Sequence, residues 1–350
     1  MKIFLTGATG FVGAHTAREL LAAGHELRLL ARNPDAARAY FARHDAPVSD
    51  WVVADMRDAD AVRDAMQGCD GVLHAAAAVS LDPRKAQQTY DNNVGGMEAV
   101  VGAACALGIR RIVYVSSLSV LFSPGLAAID EDTPLGTPHD AYARSKRDAD
   151  VRVRALQAQG HPISITYPSA IIGPDDPRLS EANFAITAFL TQMLPRTSTG
   201  IQFVDVRDVA RAHRVLLERE PVADPATARY ILSGRYHRWA ELRDVLERVT
   251  GRRLFAPRVP GALLRVFGAG ADLARRAVPF GGSMNTESMN IVTRWPDASA
   301  NRARSDLGIA FRPGEVTFHD TIRWLAEAGH LSAAKAGPAI QSTMQIRETI

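Results

Sequence analysis

Cysteine is nearly absent from this sequence. Cys69 and Cys105 are the only two in 350 residues. No metal-ligand spacing surrounds them, so neither a disulfide framework nor a metal centre is implied. A reducing, cytoplasmic setting is expected. An excess of charge of either sign is also missing: 41 Lys and Arg face 38 Asp and Glu, a net charge of +3 spread along the chain. That balance offers nucleic acid no basic surface. Arg252–Arg253 and Arg275–Arg276 read as solvated faces. There is no run of about 18 uncharged apolar residues, so no transmembrane helix is expected. The nearest approach, Gly261 to Val278 (GALLRVFGAGADLARRAV), is interrupted by arginines. It reads as an amphipathic helix packed on a core, in preference to one lying on a membrane surface. A strand and a glycine turn fill the N-terminus, where a signal peptide would place its apolar segment, so none is expected. No internal repeats occur.

What is present begins with the first residues. Lys2 to Thr6 (KIFLT) is a short apolar run that reads as a buried strand. Gly7, Gly10 and Gly13 follow at steps of three, interleaved with Thr9, Phe11 and Val12. His15 to Ala23 then has helical spacing of Ala and Leu, closed by Gly24. Strand, glycine turn and helix make half of a βαβ unit. One glycine permits the tight turn, one lets the backbone approach a pyrophosphate, and one lets the helix pack close to the strand. Free N–H groups at the helix start suit phosphate. A glycine turn without a ligand is the bland alternative, and the strand-to-helix context favours a dinucleotide.

The second strand, His25 to Leu30, ends at Ala31 and Arg32. An acidic residue at this strand end takes the adenosine ribose hydroxyls, whereas Arg accommodates the 2′-phosphate of NADP. Ala31 removes the carboxylate and Arg32 supplies a planar cation. NADP(H) is therefore favoured, with NAD(H) as the alternative and an exposed loop arginine as the bland reading. Further strands are expected at 51–55, 71–75, 111–117, 163–167 and from Tyr230, with helices at 58–66, 84–107 and from Asp140, as N-cap, to Gly160. Ala75, Ala76 and Ala77 are small enough to let backbone pass close to a flat, bulky group. His74 reads as a packed strand histidine in preference to a base.

Tyr142 and Lys146 stand four apart on the helix after the fifth strand, and so share a face. An ammonium beside a phenol stabilises the phenolate, and a Tyr that titrates near 10 needs that help to work near neutrality. A hydroxyl at the strand end, Ser117, would polarise the carbonyl oxygen that Tyr142 protonates. Ser116 is the neighbouring candidate, and Ser119 reads as a substrate-side group. Each piece recurs by chance; their order, together with the glycine loop, does not.

With these motifs the chain resembles the extended short-chain dehydrogenase/reductases, in the dihydroflavonol-reductase-like and hydroxysteroid-dehydrogenase-like group. The resemblance spans residues 1–330, with its specific motifs in the first two-thirds. It implies a Rossmann-type α/β fold: a doubly wound parallel sheet with a smaller, mostly helical substrate lobe. Residues 1–170 and 200–233 would form the dinucleotide-binding domain, 171–199 and 234–330 the lobe, and 331–350 a mobile tail. Ser117, Tyr142, Lys146 and Asn93 would be the catalytic set, and the spacing back from Tyr142 selects Ser117 as in extended members. Asn93 lies in an N-V-x-G element that positions the lysine; Gly96 departs slightly from it. Gly7, Thr9, Gly10, Phe11, Val12, Gly13, Arg32, Lys146 and Ala75 to Ala77 would line the cofactor. Asp55 and Met56 would contact adenine, and the segment from Pro168 through Ile171 would pack on the nicotinamide. Tyr167 and Ile172 replace the family's usual Arg and aromatic there. Asp208 is expected to cap a helix running to Arg219, and Arg207 to lie on the surface. Ile201 stands where many sugar-nucleotide members carry Arg. The implied activity is an NADP(H)-dependent oxidoreductase acting on a carbonyl or alcohol of a hydrophobic small molecule. The alternatives are a nucleotide-sugar epimerase or dehydratase with tightly bound NAD, and a non-catalytic NADP-binding regulator. A homodimer through the helices near 84–107 and 140–159 is also implied.

Overall fold

The computed structural model describes residues 1–79, 83–138, 141–277 and 285–340. The strands are β1 (Lys2–Thr6), β2 (Glu26–Ala31), β3 (Trp51–Val53), β4 (Gly71–His74), β5 (Arg111–Val115), β6 (Ala128–Ile129), β7 (Ile163–Pro168), β8 (Ala170–Ile172), β9 (Gly200–Asp205), β10 (Arg229–Leu232), β11 (Tyr236–Arg238) and β12 (Asp297–Ala298). The nucleotide-side helices are α1 (Phe11–Ala22), α2 (Asp35–Arg43), α3 (Ala59–Met66), α4 (Ala86–Ala106) and α5 (Ala141–Ala158). They are followed by α6 (Glu181–Thr191), α7 (Val206–Glu218), α8 (Trp239–Thr250), α9 (Gly261–Ala277), α10 (Thr286–Arg294), α11 (Asn301–Leu307), α12 (Gly314–Glu327) and α13 (Ala333–Ala336).

Seven strands form one parallel sheet in the order β10-β7-β5-β4-β1-β2-β3. The order reverses between β1 and β4, and that switch point opens a crevice at the strands' carboxyl ends. Except for the edge strand β3, the strands are mostly buried on both faces, which is why they read as apolar runs. One core packs Phe4, Val72, Ile112 and Ile165 against α3, α4 and α5; the other packs Ile3, Leu5, Leu29 and Val113 against α1 and α7. A third cluster joins Ile172 and Phe203 to α6, α8 and α12. The strands expected near 163 and 230 both enter the main sheet.

β9 pairs with β8 and β11 in a separate three-stranded sheet, outside the main one. Three expectations need correction. The cap of α7 is Asp205, whose side chain accepts the Arg207 N–H. Asp208 lies inside the first turn, where its carboxylate pairs with Arg312 instead. Arg207 is no free surface residue: it bridges Asp205 and Asp320 at 2.6 and 2.8 Å. Residues 331–340 are not tail; α13 and a following 3-10 turn bury Leu331, Ala336 and Ala339 against the third cluster. The rest of that segment, 341–350, lies outside the described residues, as does the Asp140 cap.

The expected helix at 261–278 forms as α9. It buries Leu264 but leaves Leu263, Val266, Phe267 and Leu273 exposed. Among the described residues no helix is long and apolar enough to cross a membrane.

Candidate active site

The glycine turn is built by exclusion of side chains. Gly7 has φ +88°, and a Cβ there would lie 2.6 Å from the Ala76 nitrogen. A Cβ on Gly13 would lie 2.2 Å from the Gly7 carbonyl oxygen. The first brings the turn against the 75–78 segment, and the second lets α1 pack onto the turn. Gly10 is the N-cap of α1, with extended backbone and no side-chain cap, and the first turn carries no acidic residue. The N–H groups of Phe11, Val12 and Gly13 precede the first helical bond, Ala14 N–H to Gly10 O. This is a phosphate-accepting helix start with no competing side chain.

Around it stand the other residues expected on the cofactor side. Ala31 is buried at the end of β2, and Arg32 beside it is exposed. Asp55 accepts bidentate bonds of 3.0 Å from Arg57, which holds its carboxyl below the usual range, with Arg32 adding to the effect. Met56 fills a notch over Gly96 on α4: a Cβ there would lie 2.7 Å from the Met56 Cε. The sequence departure at Gly96 therefore makes room for the Met56 side chain.

Asn93 fastens the 75–78 segment to α5. Its Oδ1 accepts the Ala78 N–H at 2.7 Å, and its Nδ2 donates to the Ala78 carbonyl and to Ser145 Oγ. Ser145 Oγ in turn donates to the Tyr142 carbonyl at 2.7 Å. Asn93 thus orders the turn that carries Tyr142. Sequence reasoning missed Ser145, although its place between Tyr142 and Lys146 was a signal.

Lys146 is buried, and its Nζ donates to the Val115 carbonyl at 2.9 Å, at the end of β5. The ammonium lies 5.6 Å over the Tyr114 ring. Burial lowers its pKa to about 8, opposed by the charge of Asp150. Tyr142 also bears on Tyr114, where its charge would raise that phenol further. Tyr142 and Lys146 therefore address the same strand from one helix face. Ser117 caps the short 3-10 turn after β5, and its Oγ lies 2.9 Å from Ser119 Oγ. Ser116 points elsewhere, donating to buried Asp150 at 2.6 Å. His74 is the packed residue expected: it bonds Thr6 Oγ1 at 2.7 Å, and burial drives its pKa to about 3. Pro168 ends β7 and Ile171 lies in β8, paired to Val204. Tyr167 is fully buried and bonded to Asp150 and Arg154. Among the described residues no group of His, Cys, Asp and Glu is placed to hold a metal ion.

The sequence model of the NAD dependent epimerase/dehydratase family matches residues 3–227. A Synechocystis sp. protein named as a dihydroflavonol 4-reductase is 32% identical over 94% of this chain and 95% of its own. Cinnamoyl-CoA reductase 1 of Oryza sativa subsp. japonica is 29% identical over 94% and 91%. Among solved structures, a UDP-glucose 4-epimerase from Stenotrophomonas maltophila with bound NAD superposes with a TM-score of 0.74 at 21% identity, covering 94% of this chain and 99% of that one.

Proposed function

The chain belongs to the NAD dependent epimerase/dehydratase family, and within it we propose a reductase that uses NADPH to reduce a carbonyl of a hydrophobic small molecule, or runs the reverse oxidation. The observation that carries this reading is Lys146, a buried ammonium on the Val115 carbonyl, one helical turn from Tyr142 and beside the strand end that bears Ser117. The glycine turn, the uncapped start of α1 and the small 75–78 segment fit a dinucleotide, because the helix-start N–H groups have no competing side chain and Gly7 and Gly13 let the turn, α1 and the 75–78 segment pack closely. Bound NADPH would supply the hydride. Tyr142 donates its phenolic proton to the carbonyl oxygen. Lys146 stabilises the phenolate left behind, and Ser117 donates a hydrogen bond to the same oxygen. Asn93 and Ser145 hold the turn in register. Arg32 receives the 2′-phosphate that distinguishes NADPH from NADH.

The names of the curated relatives above support reduction over epimerisation. Ala31, Arg32 and Ile201 favour NADPH and a substrate that is not a nucleotide sugar. The division into a nucleotide domain and a lobe, and a homodimer through α4 and α5, are part of the same proposal. The test is nicotinamide absorbance with purified protein, NADPH and a panel of hydrophobic ketones and aldehydes plus one nucleotide sugar. Net loss of NADPH with a ketone or aldehyde supports the reading. NAD found tightly bound to the purified protein, with no net redox change while a nucleotide sugar is converted, would overturn it in favour of an epimerase.

A further inference from the structure

Behind Lys146 lies a charged cluster that the reaction above does not use. Asp150 is fully buried on α5, one turn beyond Lys146 and on the same helix face. Three donors converge on its carboxylate: Ser116 Oγ at 2.6 Å, Arg154 Nε at 2.7 Å and Tyr167 Oη at 3.1 Å. Arg154 also reaches the Tyr167 hydroxyl at 2.9 Å. Ser116 follows Val115, whose carbonyl accepts the Lys146 ammonium. The carboxylate and the ammonium are therefore held by consecutive residues, Val115 at the end of β5 and Ser116 just beyond it. We propose that Asp150 is a positioning residue for the reaction: its buried carboxylate, anchored by Ser116, Tyr167 and Arg154, keeps the Lys146 ammonium charged and in place one turn from Tyr142. The inference rests on the assignment of Tyr142 and Lys146 to the acid/base site.

The surroundings of Lys146 leave this role to Asp150. From β5 it meets the Tyr114 ring and the Val115 carbonyl, both neutral. From β4 it faces His74, which is itself held neutral by burial and by the lysine's charge. From α5 it has Tyr142 and Asp150, with Arg154 behind the carboxylate, and from β7 it has Tyr167 beyond it. Asp150 is the acidic group among the described residues whose charge bears on Lys146. Burial raises the Asp150 carboxyl on balance, and Arg154, Ser116 and Tyr167 oppose that rise. Three donors converging on a carboxylate favour its ionised form. Burial alone disfavours the charged ammonium, and the negative charge of Asp150 one turn away opposes that loss.

The sequence makes the test direct, because it holds four lysines, Lys2, Lys85, Lys146 and Lys335. Protein labelled with [13C]lysine gives a Cε resonance for each, and Lys146→Arg assigns the one of interest. In the unsubstituted protein the Lys146 resonance is expected to titrate at about 8. In Asp150→Asn the midpoint is expected to drop by about one pH unit, and Asp150→Glu should restore most of it. The alkaline limb of kcat/KM should move with the resonance, since neutral Lys146 no longer supports Tyr142. If Asp150→Asn does not fold with Arg154 left facing an amide, the double variant with Arg154→Gln removes the carboxylate without stranding a guanidinium. An unmoved Lys146 midpoint in a folded variant lacking the carboxylate would overturn the proposal. The NMR titration needs no substrate. If the protein shows no NADPH turnover, the reductase reading fails while the Asp150 claim is still decided.

Discussion

Arg32 stands exposed beside buried Ala31, at the strand end where a dinucleotide enzyme meets the adenosine ribose. A guanidinium on a phosphate is a charge-assisted contact, so Arg32→Ala is expected to weaken NADPH binding about tenfold or more and NADH binding less than about threefold. Titration of nicotinamide fluorescence with each cofactor checks this, and equal losses would show that Arg32 does not read the phosphate. Residues of this kind are legible in sequence because their chemistry is local: glycines in a turn, a cation after a strand, Tyr and Lys one helical turn apart. The Asp150 cluster is not. Arg154 lies one helical turn on, but Ser116, just past β5, and Tyr167 of β7 come to it across separations of 34 and 17 residues that no periodicity encodes. Tyr167 was visible as a departure from the family's Arg, but only the fold shows its hydroxyl set between Asp150 and Arg154. Asp205 and Asp208 illustrate the same limit, since either fits a helix start and only backbone conformation selects Asp205 as the cap.

At the scale of elements, the β1–turn–α1 unit depends on contacts closer than side chains allow. The Gly13 Cα faces the Gly7 carbonyl, where an added Cβ would lie 2.2 Å away. Gly13→Ala must push α1 from the turn, and overpacking of that kind costs about 1–3 kcal/mol. The expected outcome is a lower melting temperature together with loss of NADPH binding, measured by calorimetry and by cofactor titration. Unchanged stability and affinity would mean that the turn does not form as described. Most elements were readable, though α2 went unpredicted: each main-sheet strand falls where an apolar run predicts it, and the expected helices end within a few residues of their observed ends. The three-stranded β8-β9-β11 sheet was not, because its strands are short and pair across the boundary between the two assigned units. The exposed face of α9 was also unexpected. Its spacing fits an amphipathic helix, but the pattern does not say how much of the apolar face its neighbours cover.

At the scale of the whole molecule, the sheet is tied together by histidines kept neutral by burial. His213 on α7 bonds Thr16 of α1 and Thr166 of β7, both at 3.1 Å, and burial lowers its pKa to about 3. Burial likewise brings His74 to about 3 and His15, on the Pro174 carbonyl, to about 4. Each starts from 6.5 in the unfolded chain, so the unfolded chain binds protons the folded one does not as the pH falls below that value. Their contribution is fully present above 6.5 and is lost on acidification toward their folded values, by about 1.4 kcal/mol per pH unit for each. Imidazole NMR at about pH 5 should therefore show these three of the ten histidines still neutral. Titration of all three near 6.5 would contradict the packing. The central claim is that Tyr142 supplies the proton to the reduced carbonyl. Its most direct test is single-turnover NADPH oxidation with a responsive ketone, alongside NADPH affinity, for the unsubstituted protein and Tyr142→Phe. The account predicts a rate lower by at least about 100-fold with affinity nearly unchanged. Retained turnover in Tyr142→Phe would contradict it.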